Sequence, residues 1–171
     1  MKTKRFKCNK TCLVLILSLL INICTQKNMN AQRVFVNIND FGAVGDSSTL
    51  NTNAIQNAID FCVSKNIGEI VFPNGNYVTG TLFLKSNIVL HFSPGAKLLG
   101  SISPEHYSDS VHTPVEAPQF KKVLLYGENL TNVTINGAGV INGRGYKEYF
   151  SGERPMLIRF VNCNTIRIKD I

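Results

Sequence analysis

The residues Asn39-Asp40-Phe41-Gly42-Ala43-Val44-Gly45-Asp46 open the stretch that decides the fold, and Phe92-Ser93-Pro94-Gly95-Ala96-Lys97-Leu98-Leu99-Gly100 closes it. Between them lie one helical pattern and several short apolar segments separated by turn residues. Glycine punctuation, one early helix and then short strands without further helices are typical of the start of a parallel β-helix. The sequence therefore predicts an all-β solenoid rather than a set of hairpins.

The helical pattern follows a polar segment, residues 49–53, whose side chains are suited to capping. Apolar residues then recur at three- and four-residue spacing, and Ile67-Gly68 ends the pattern. We expect this stripe to pack on the core of the same chain, because amphipathic helices normally bury their own apolar face. The stripe consists of Ile55, Ala58, Ile59, Cys62 and Val63.

Short strands are predicted after the helix, at Glu69-Ile70-Val71-Phe72, Tyr77-Val78-Thr79, Thr81-Leu82-Phe83-Leu84 and Ile88-Val89-Leu90-His91-Phe92. The single histidine within a strand, His91, is predicted to be structural. No linker or shift in composition divides the chain after residue 31, so we predict one domain over residues 32–171.

A diverged repeat supports the solenoid. Asn87, Asn132 and Asn164 each precede apolar residues at two-residue spacing, and the intervals from Ile88 to Val133 and from Val133 to Ile166 are 45 and 33 residues. Coils of about 22 residues that carry loop insertions would give such intervals. We expect the asparagine amides to bond one another along stacked turns.

Two loop insertions carry the candidate binding residues. Residues 103–119 contain His106, Asp109 and His112, and residues 143–155 contain Tyr146, Lys147, Tyr149 and two arginines, Arg144 and Arg154. Long loops on a rigid scaffold often bind ligands. The two histidines and the aspartate lack a nucleophile in a supporting context, so they are only a weak catalytic constellation.

The first 31 residues make the whole chain more basic than the part that follows them. A basic start, an apolar run from Cys12 to Cys24 and the small residue Ala31 predict a secretory signal peptide, and with it a secreted or periplasmic protein. The segment holds six of the 18 basic residues and no acidic ones, which leaves 12 basic and 11 acidic residues in the mature chain. The high isoelectric point is therefore no argument for nucleic acid or for an anionic membrane. Cys62 and Cys163 remain, and we predict two buried, unpaired thiols without a metal site.

The order of the quoted segments resembles the N-terminal portion of the polygalacturonase family of pectin-degrading glycoside hydrolases, within the pectate-lyase-type β-helix superfamily. The resemblance covers essentially all of the chain after residue 33. It implies a right-handed, single-stranded parallel β-helix in which one N-terminal α-helix lies across the open end of the first coil. It also implies an acidic plant cell-wall polysaccharide, pectin or polygalacturonate, as the partner.

The family's catalytic motifs are missing from this sequence. The resemblance implies aspartates from Asn-Thr-Asp and Asp-Asp motifs, then Gly-His-Gly and a carboxylate-binding Arg-Ile-Lys, yet only Arg167-Ile168-Lys169 is found, and it stands without its neighbours. We interpret that match as a coincidence and predict no catalytic residue, metal or cofactor. Arg154 is the one predicted substrate contact, for a uronate carboxylate.

The sequence therefore predicts a C-terminally incomplete β-helix from an inverting hydrolase of α-1,4-galacturonosyl linkages, inactive by itself. Two alternatives stay open. One is a calcium-dependent pectate lyase built on the same scaffold. The other is a carbohydrate-binding or adhesion module without enzyme activity.

Overall fold

The computed structural model describes residues 34–113, 121–150 and 152–171. The predicted signal peptide, residues 1–31, and part of the first loop, residues 114–120, lie outside the described residues. Within the described residues, no helix is both long and apolar enough to cross a membrane.

The strands form three parallel sheets that the chain visits in turn. Sheet 1 stacks five strands in the order β1 (Phe35–Asn37), β3 (Glu69–Phe72), β6 (Ile88–Phe92), β9 (Thr131–Gly137) and β12 (Asn164–Lys169). Sheet 2 stacks β2 (Asp46–Leu50), β4 (Gly75–Thr79), β7 (Ala96–Gly100) and β10 (Val140–Asn142). Sheet 3 stacks β5 (Leu82–Phe83), β8 (Val123–Glu128) and β11 (Met156–Val161). The second, third and fourth coils each contribute one strand to each sheet, so the predicted parallel β-helix is confirmed.

The register of sheet 1 confirms the repeat. Ile88 lies opposite Val133, and Val133 lies opposite Ile166, so the two intervals of the sequence each correspond to one coil with an insertion. Inward-facing residues of successive coils stack on one another, as Phe72 and Phe92 do with ring centroids 4.3 Å apart and planes 15° apart. Their burial removes apolar surface from water, which is the main force that holds the coils together.

The one α-helix among the described residues, α1 (Thr52–Ser64), packs against β1, β3 and β5. Ile55, Ala58, Ile59 and Cys62 are fully buried, as the stripe predicted. The prediction was wrong for Val63, which is 44% exposed because its position in the last turn falls at the margin of the buried face.

The residues predicted to cap the helix have other roles. Thr49 lies in β2, where its amide and hydroxyl both donate to the Asp46 carboxylate. Asn51 precedes the helix but makes no side-chain cap; its buried amide instead accepts from Val44 N and donates to the carbonyls of Val44 and Thr49. The helix start is therefore fixed by tertiary bonds rather than by local capping.

Gln56 shows how α1 covers the open edge of sheet 3. Its side-chain Nε2 donates to Phe83 O at 3.1 Å, and its Oε1 accepts from Phe83 N at 2.9 Å. One side chain thus satisfies both backbone groups of Phe83 on the outer edge of β5, where another strand would otherwise pair. This contact agrees with the capping position that the resemblance implied for the helix.

Two corners of the coil differ in length. The short-turn corner joins sheet 3 to sheet 1 through residues 84–87, 129–130 and 162–163, and it includes the first two residues of β9 and of β12. The loop corner joins sheet 2 to sheet 3 through residues 80–81, 101–122 and 143–155. In the first coil, α1 follows the sheet 2 strand at this same point.

The short-turn corner contains the predicted asparagine ladder, with one correction. Asn132 Nδ2 donates to Asn87 Oδ1 at 3.3 Å, and both residues are left-handed, with φ of 56° and 61°. The third position belongs to Thr165, with φ of 56°, and not to Asn164, because the register places Asn164 opposite Thr131. Threonine has no amide to extend the ladder.

The two cysteines of the domain are separate free thiols, as predicted. Cys62 is buried in α1, where burial raises the pKa of its thiol and the Sγ donates to Ile67 O at 2.9 Å. Cys163 lies half-buried in a turn of the short-turn corner. Across the described residues, no group of three or more histidine, cysteine, aspartate or glutamate side chains could hold a metal ion.

Candidate functional site

A cleft of about 260 Å³ lies where the loop corner meets sheet 2. Its walls come from four successive coils, because the lining starts at β2 and continues to the loop after β10. The described lining combines four serines, one histidine and one arginine with three apolar side chains, and it includes no carboxylate. The lining residues are Ser47, Ser48, Leu50, Val78, Ser101, Ile102, Ser103, His106 and Arg144.

The first loop wall is a tight turn directly after β7. Buried Ser101 places its Oγ 2.6 Å from His106 Nδ1 and accepts from Ser103 N at 3.1 Å. A 3₁₀ turn over Pro104–His106 carries the imidazole back over the strand end. Proline suits this start, because its fixed φ matches the turn and its missing N–H needs no partner.

Two glycines let this wall approach the coil. A Cβ on Gly80 would overlap the backbone carbonyl of His106, and a Cβ on Gly100 would lie 2.6 Å from Gly143 O and 2.8 Å from Tyr107 Oη. Any other residue at these positions would push the loops outward. The cleft therefore depends on two glycines that bear no functional group.

Arg144 supplies the only cation among the described lining residues other than the titratable His106. Asn142 Oδ1 accepts from Arg144 N at 2.9 Å, which is an Asx turn, and the arginine backbone is left-handed with φ of 47°. Its Nε donates to Gly100 O at 2.6 Å. The guanidinium is thus fixed by one nitrogen, and its two Nη atoms remain as donors for a ligand.

An aromatic contact joins the two loops beneath the cleft. Buried Tyr107 and Phe150 lie with ring centroids 6.3 Å apart at 69°, and Tyr107 Oη donates to Ser101 O at 2.7 Å. Burial raises the pKa of Tyr107 to about 12, although the positive charge of Arg144 opposes the shift. The phenol is therefore neutral at physiological pH and adds no negative charge near Arg144.

The predicted loop constellation does not assemble. His106 lines the cleft, but Asp109 pairs with Lys122 Nζ at 3.2 Å. The backbone of His112 binds elsewhere, since its N donates to Tyr126 Oη and its O accepts from buried Arg159. These three side chains therefore form no common site.

The other predicted residues also lie outside the cleft lining. Arg154 is exposed, and its Nη1 donates to Gly145 O at 3.4 Å. His91 lies on the outer face of β6 with Nδ1 2.8 Å from Asn136 Oδ1, which fits a structural role. The tripeptide Arg167-Ile168-Lys169 lies in β12 of sheet 1.

Arg144 lines the cleft, although the sequence predicted Arg154 as the substrate contact. The signal was present in Asn142-Gly143-Arg144-Gly145, where an Asx residue two positions before an arginine fixes its backbone. Ser101 and Ser103 carried no comparable signal, because serines in a loop are too common to single out.

The parallel solenoid, with a helix against its first strands and a polar, cationic cleft beside its loops, is similar to the pectate-lyase-like β-helices. Residues 35–105 match the family model described as rhamnogalacturonase A/epimerase, pectate lyase-like. The chain is 37% identical over 121 residues to an exo-poly-alpha-D-galacturonosidase of Dickeya chrysanthemi, a match that covers 66% of this chain and 20% of that protein. It is 31% identical over 150 residues to a Vitis vinifera protein named "Probable polygalacturonase", covering 77% of this chain and 30% of that protein.

Structural comparison agrees. The family 28 exopolygalacturonase of Yersinia enterocolitica aligns with a TM-score of 0.71 and 25% identity over 82% of this chain and 34% of that chain. The predicted resemblance to polygalacturonase-like glycoside hydrolases is thereby confirmed. This chain spans between 20% and 34% of the length of these relatives.

Proposed function

We propose that this chain is the N-terminal part of a secreted, polygalacturonase-like glycoside hydrolase that cleaves α-1,4-galacturonosyl linkages of pectin. The observation that carries the proposal is the 37% identity, over 66% of the chain, to a protein named exo-poly-alpha-D-galacturonosidase. The cleft supports it, because an arginine among hydroxyl groups suits a polymer that bears both carboxylates and hydroxyls.

Within such an enzyme, the part described here binds the polymer rather than breaking it. Hydrolysis of a glycosidic bond requires two carboxyl groups, and the described lining of the cleft has none. We place the general acid and the general base in the part of the relatives' length that this chain does not span. With carboxyl groups about 6.5 to 9.5 Å apart, these would activate a water molecule and invert the anomeric centre.

The experiment compares binding and cleavage by the purified 171-residue chain. We expect retardation in gels that contain polygalacturonate, little retardation in neutral galactan, and no release of reducing ends. Release of reducing ends above a vector control would contradict the assigned role. Equal retardation by both polymers would contradict the acidic substrate.

A longer gene product that contains this sequence would separate the alternatives. We expect saturated reducing ends, inverted configuration by proton NMR, and activity that survives a chelator. A calcium-dependent, ultraviolet-absorbing unsaturated product would identify a pectate lyase instead. Polysaccharide binding with neither product would identify a binding or adhesion module.

Export is a separate part of the proposal. The basic, apolar and small-residue order of the first 31 positions supports cleavage between Ala31 and Gln32 and release to the periplasm or the medium. Terminal sequencing of exported material should give a chain that begins at Gln32. Recovery of a chain that begins at Met1 would refute export by this route.

A further inference from the structure

We infer that the cleft at the loop corner is a subsite for one hexuronate residue, whose carboxylate binds the two Nη atoms of Arg144. This inference rests on the proposed function and deepens it, since it assigns a particular side chain to the anionic group of the substrate. It also replaces Arg154 by Arg144 as the carboxylate ligand.

Charge is the first support. Among the described lining residues Arg144 is the one permanently charged group, so no carboxylate in the lining neutralises it. Two acids adjoin lining residues in the sequence: Glu105 precedes His106, and Asp46 precedes Ser47. The Asp46 carboxylate already accepts from Ser48 N, Thr49 N and Thr49 Oγ1. A cleft lined by one sign of charge concentrates field lines and attracts an anion.

Preorganisation is the second support. The Nε bond to Gly100 O and the Asx turn at Asn142 hold the arginine at both its guanidinium and its backbone. An arginine fork binds a carboxylate with two parallel bonds, and little side-chain freedom remains to be lost when the ligand arrives. The bond to Gly100 O uses Nε, so the side of the guanidinium that carries Nη1 and Nη2 can face the ligand.

Size and the remaining lining give the third support. Pockets for drug-sized ligands run from about 300 to 1,000 Å³, so about 260 Å³ suits one sugar ring rather than several. The hydroxyls of Ser47, Ser48 and Ser103 and the His106 ring can bond sugar hydroxyls. The exposed side chains of Leu50 and Ile102 offer apolar surface for the ring. A neutral hexose would fit the same space but would leave the Arg144 charge without a partner.

The test measures calorimetric binding of trigalacturonate and of its fully methyl-esterified form, which has a similar shape but no charge. We expect Arg144→Gln to weaken binding of the acid form about tenfold to a hundredfold, the usual effect of losing a hydrogen bond to a charged group. We expect wild-type protein to bind the methyl ester as weakly as the Arg144→Gln variant binds the acid form. The affinity for the methyl ester should be the same in wild type and in Arg144→Gln. Arg167→Gln, an exposed arginine in β12, serves as the matched control and should change affinity less than twofold.

Each other outcome overturns the inference in an identifiable way. Equal affinity of wild type and Arg144→Gln, or a loss with Arg154→Gln instead, would refute the subsite and leave the proposed function standing. Tighter binding of a sulfated galactose trisaccharide than of trigalacturonate would make the ligand class wrong. If wild-type protein binds neither trigalacturonate nor polygalacturonate, the proposed function fails as well. Thermal unfolding checks that Arg144→Gln folds; if it does not, equal binding of acid and ester by wild type refutes the subsite.

Discussion

The short-turn corner and the loop corner lie at opposite ends of the same sheet 3 strands, yet they differ in length and in the residues that they contain. At the short-turn corner, only two residues separate β8 from β9 and β11 from β12, and the turns hold left-handed asparagines such as Asn129 and Asn162. At the loop corner, the connection varies from two residues to 22, and it carries the cleft. The solenoid thus keeps one corner constant and uses the other for variation.

The difference shows how a repeat protein separates stability from binding. Few residue types fit a turn that must stack on similar turns, because the backbone geometry of the turn decides which side chains it can hold. A loop that leaves the coil needs only to satisfy its own backbone groups and to cover the strand end. At the loop corner this is done by tertiary contacts, including Tyr107 on Phe150 and the Arg144 bond to Gly100.

The largest effect is expected at Gly80. Gly80→Ala should lower the free energy of unfolding by about 3 kcal/mol and abolish binding of trigalacturonate, because the new Cβ overlaps backbone rather than a movable side chain. Chemical denaturation measures the first effect and calorimetry the second. Gly68→Ala is the control, since the nearest atom to its Cβ, Asn87 O, lies 4.0 Å away. Equal stability of the two variants would show that the first loop does not rest on Gly80.

A smaller loss of stability is expected at Asn51, the residue between β2 and α1. Asn51→Ala should cost about 2 kcal/mol, because Val44 N and the carbonyls of Val44 and Thr49 lose the partner that the buried Asn51 amide gives them, whereas Val78 O keeps its bond from Asn51 N. Asn53, the second residue of α1, is exposed, so Asn53→Ala should leave the free energy of unfolding unchanged or raise it slightly. If the two alanine variants unfold at the same denaturant concentration, the start of the helix is fixed locally after all.

The sequence predicted the regular part of this fold well. The bounds of β3 and β6, the registers of Ile88, Val133 and Ile166 and both long insertions follow from period-two apolar patterns and turn residues, which are local signals. β2 was missed, because its residues are polar and exposed and its pairing with β4 is irregular. A pattern in the local sequence cannot reveal a strand whose position is set by its pairing with a neighbouring strand.

The cleft was harder to predict than the fold. Arg144, Ser101 and Ser47 come from three different coils, and only the stacking of those coils brings them together. The preference for Arg154 over Arg144 followed from loop position, whereas the structure distinguishes the two by a tertiary bond from Arg144 to Gly100. Such a bond depends on the register of the coils, which the loop sequence does not encode.

A moderate effect is expected at the short-turn corner. Asn132→Ala should cost about 1 kcal/mol, because alanine disfavours the left-handed φ of 56° and cannot bond Asn87. Asn132→Gly should recover most of that loss, since glycine adopts this φ freely. Both variants should bind trigalacturonate like wild type. An alanine variant as stable as the wild type would mean that the turn geometry constrains the coil less than the loop corner does.

The effect that is smallest at neutral pH is a dependence of stability on alkaline pH at the base of the loop corner. The folded pKa of Tyr107 is raised to about 12, so its contribution to stability is complete below the usual tyrosine value of about 10. Between these values the unfolded chain loses the phenolic proton while the folded chain keeps it, so stability falls as pH rises and levels off above the folded pKa. Urea unfolding at pH 9 and pH 11 should therefore show a smaller decline for Tyr107→Phe than for wild type, while Tyr149→Phe, an exposed tyrosine on the second loop, should decline like wild type. An unchanged decline in Tyr107→Phe would indicate that this ring is open to solvent and that the two loops are not joined through it.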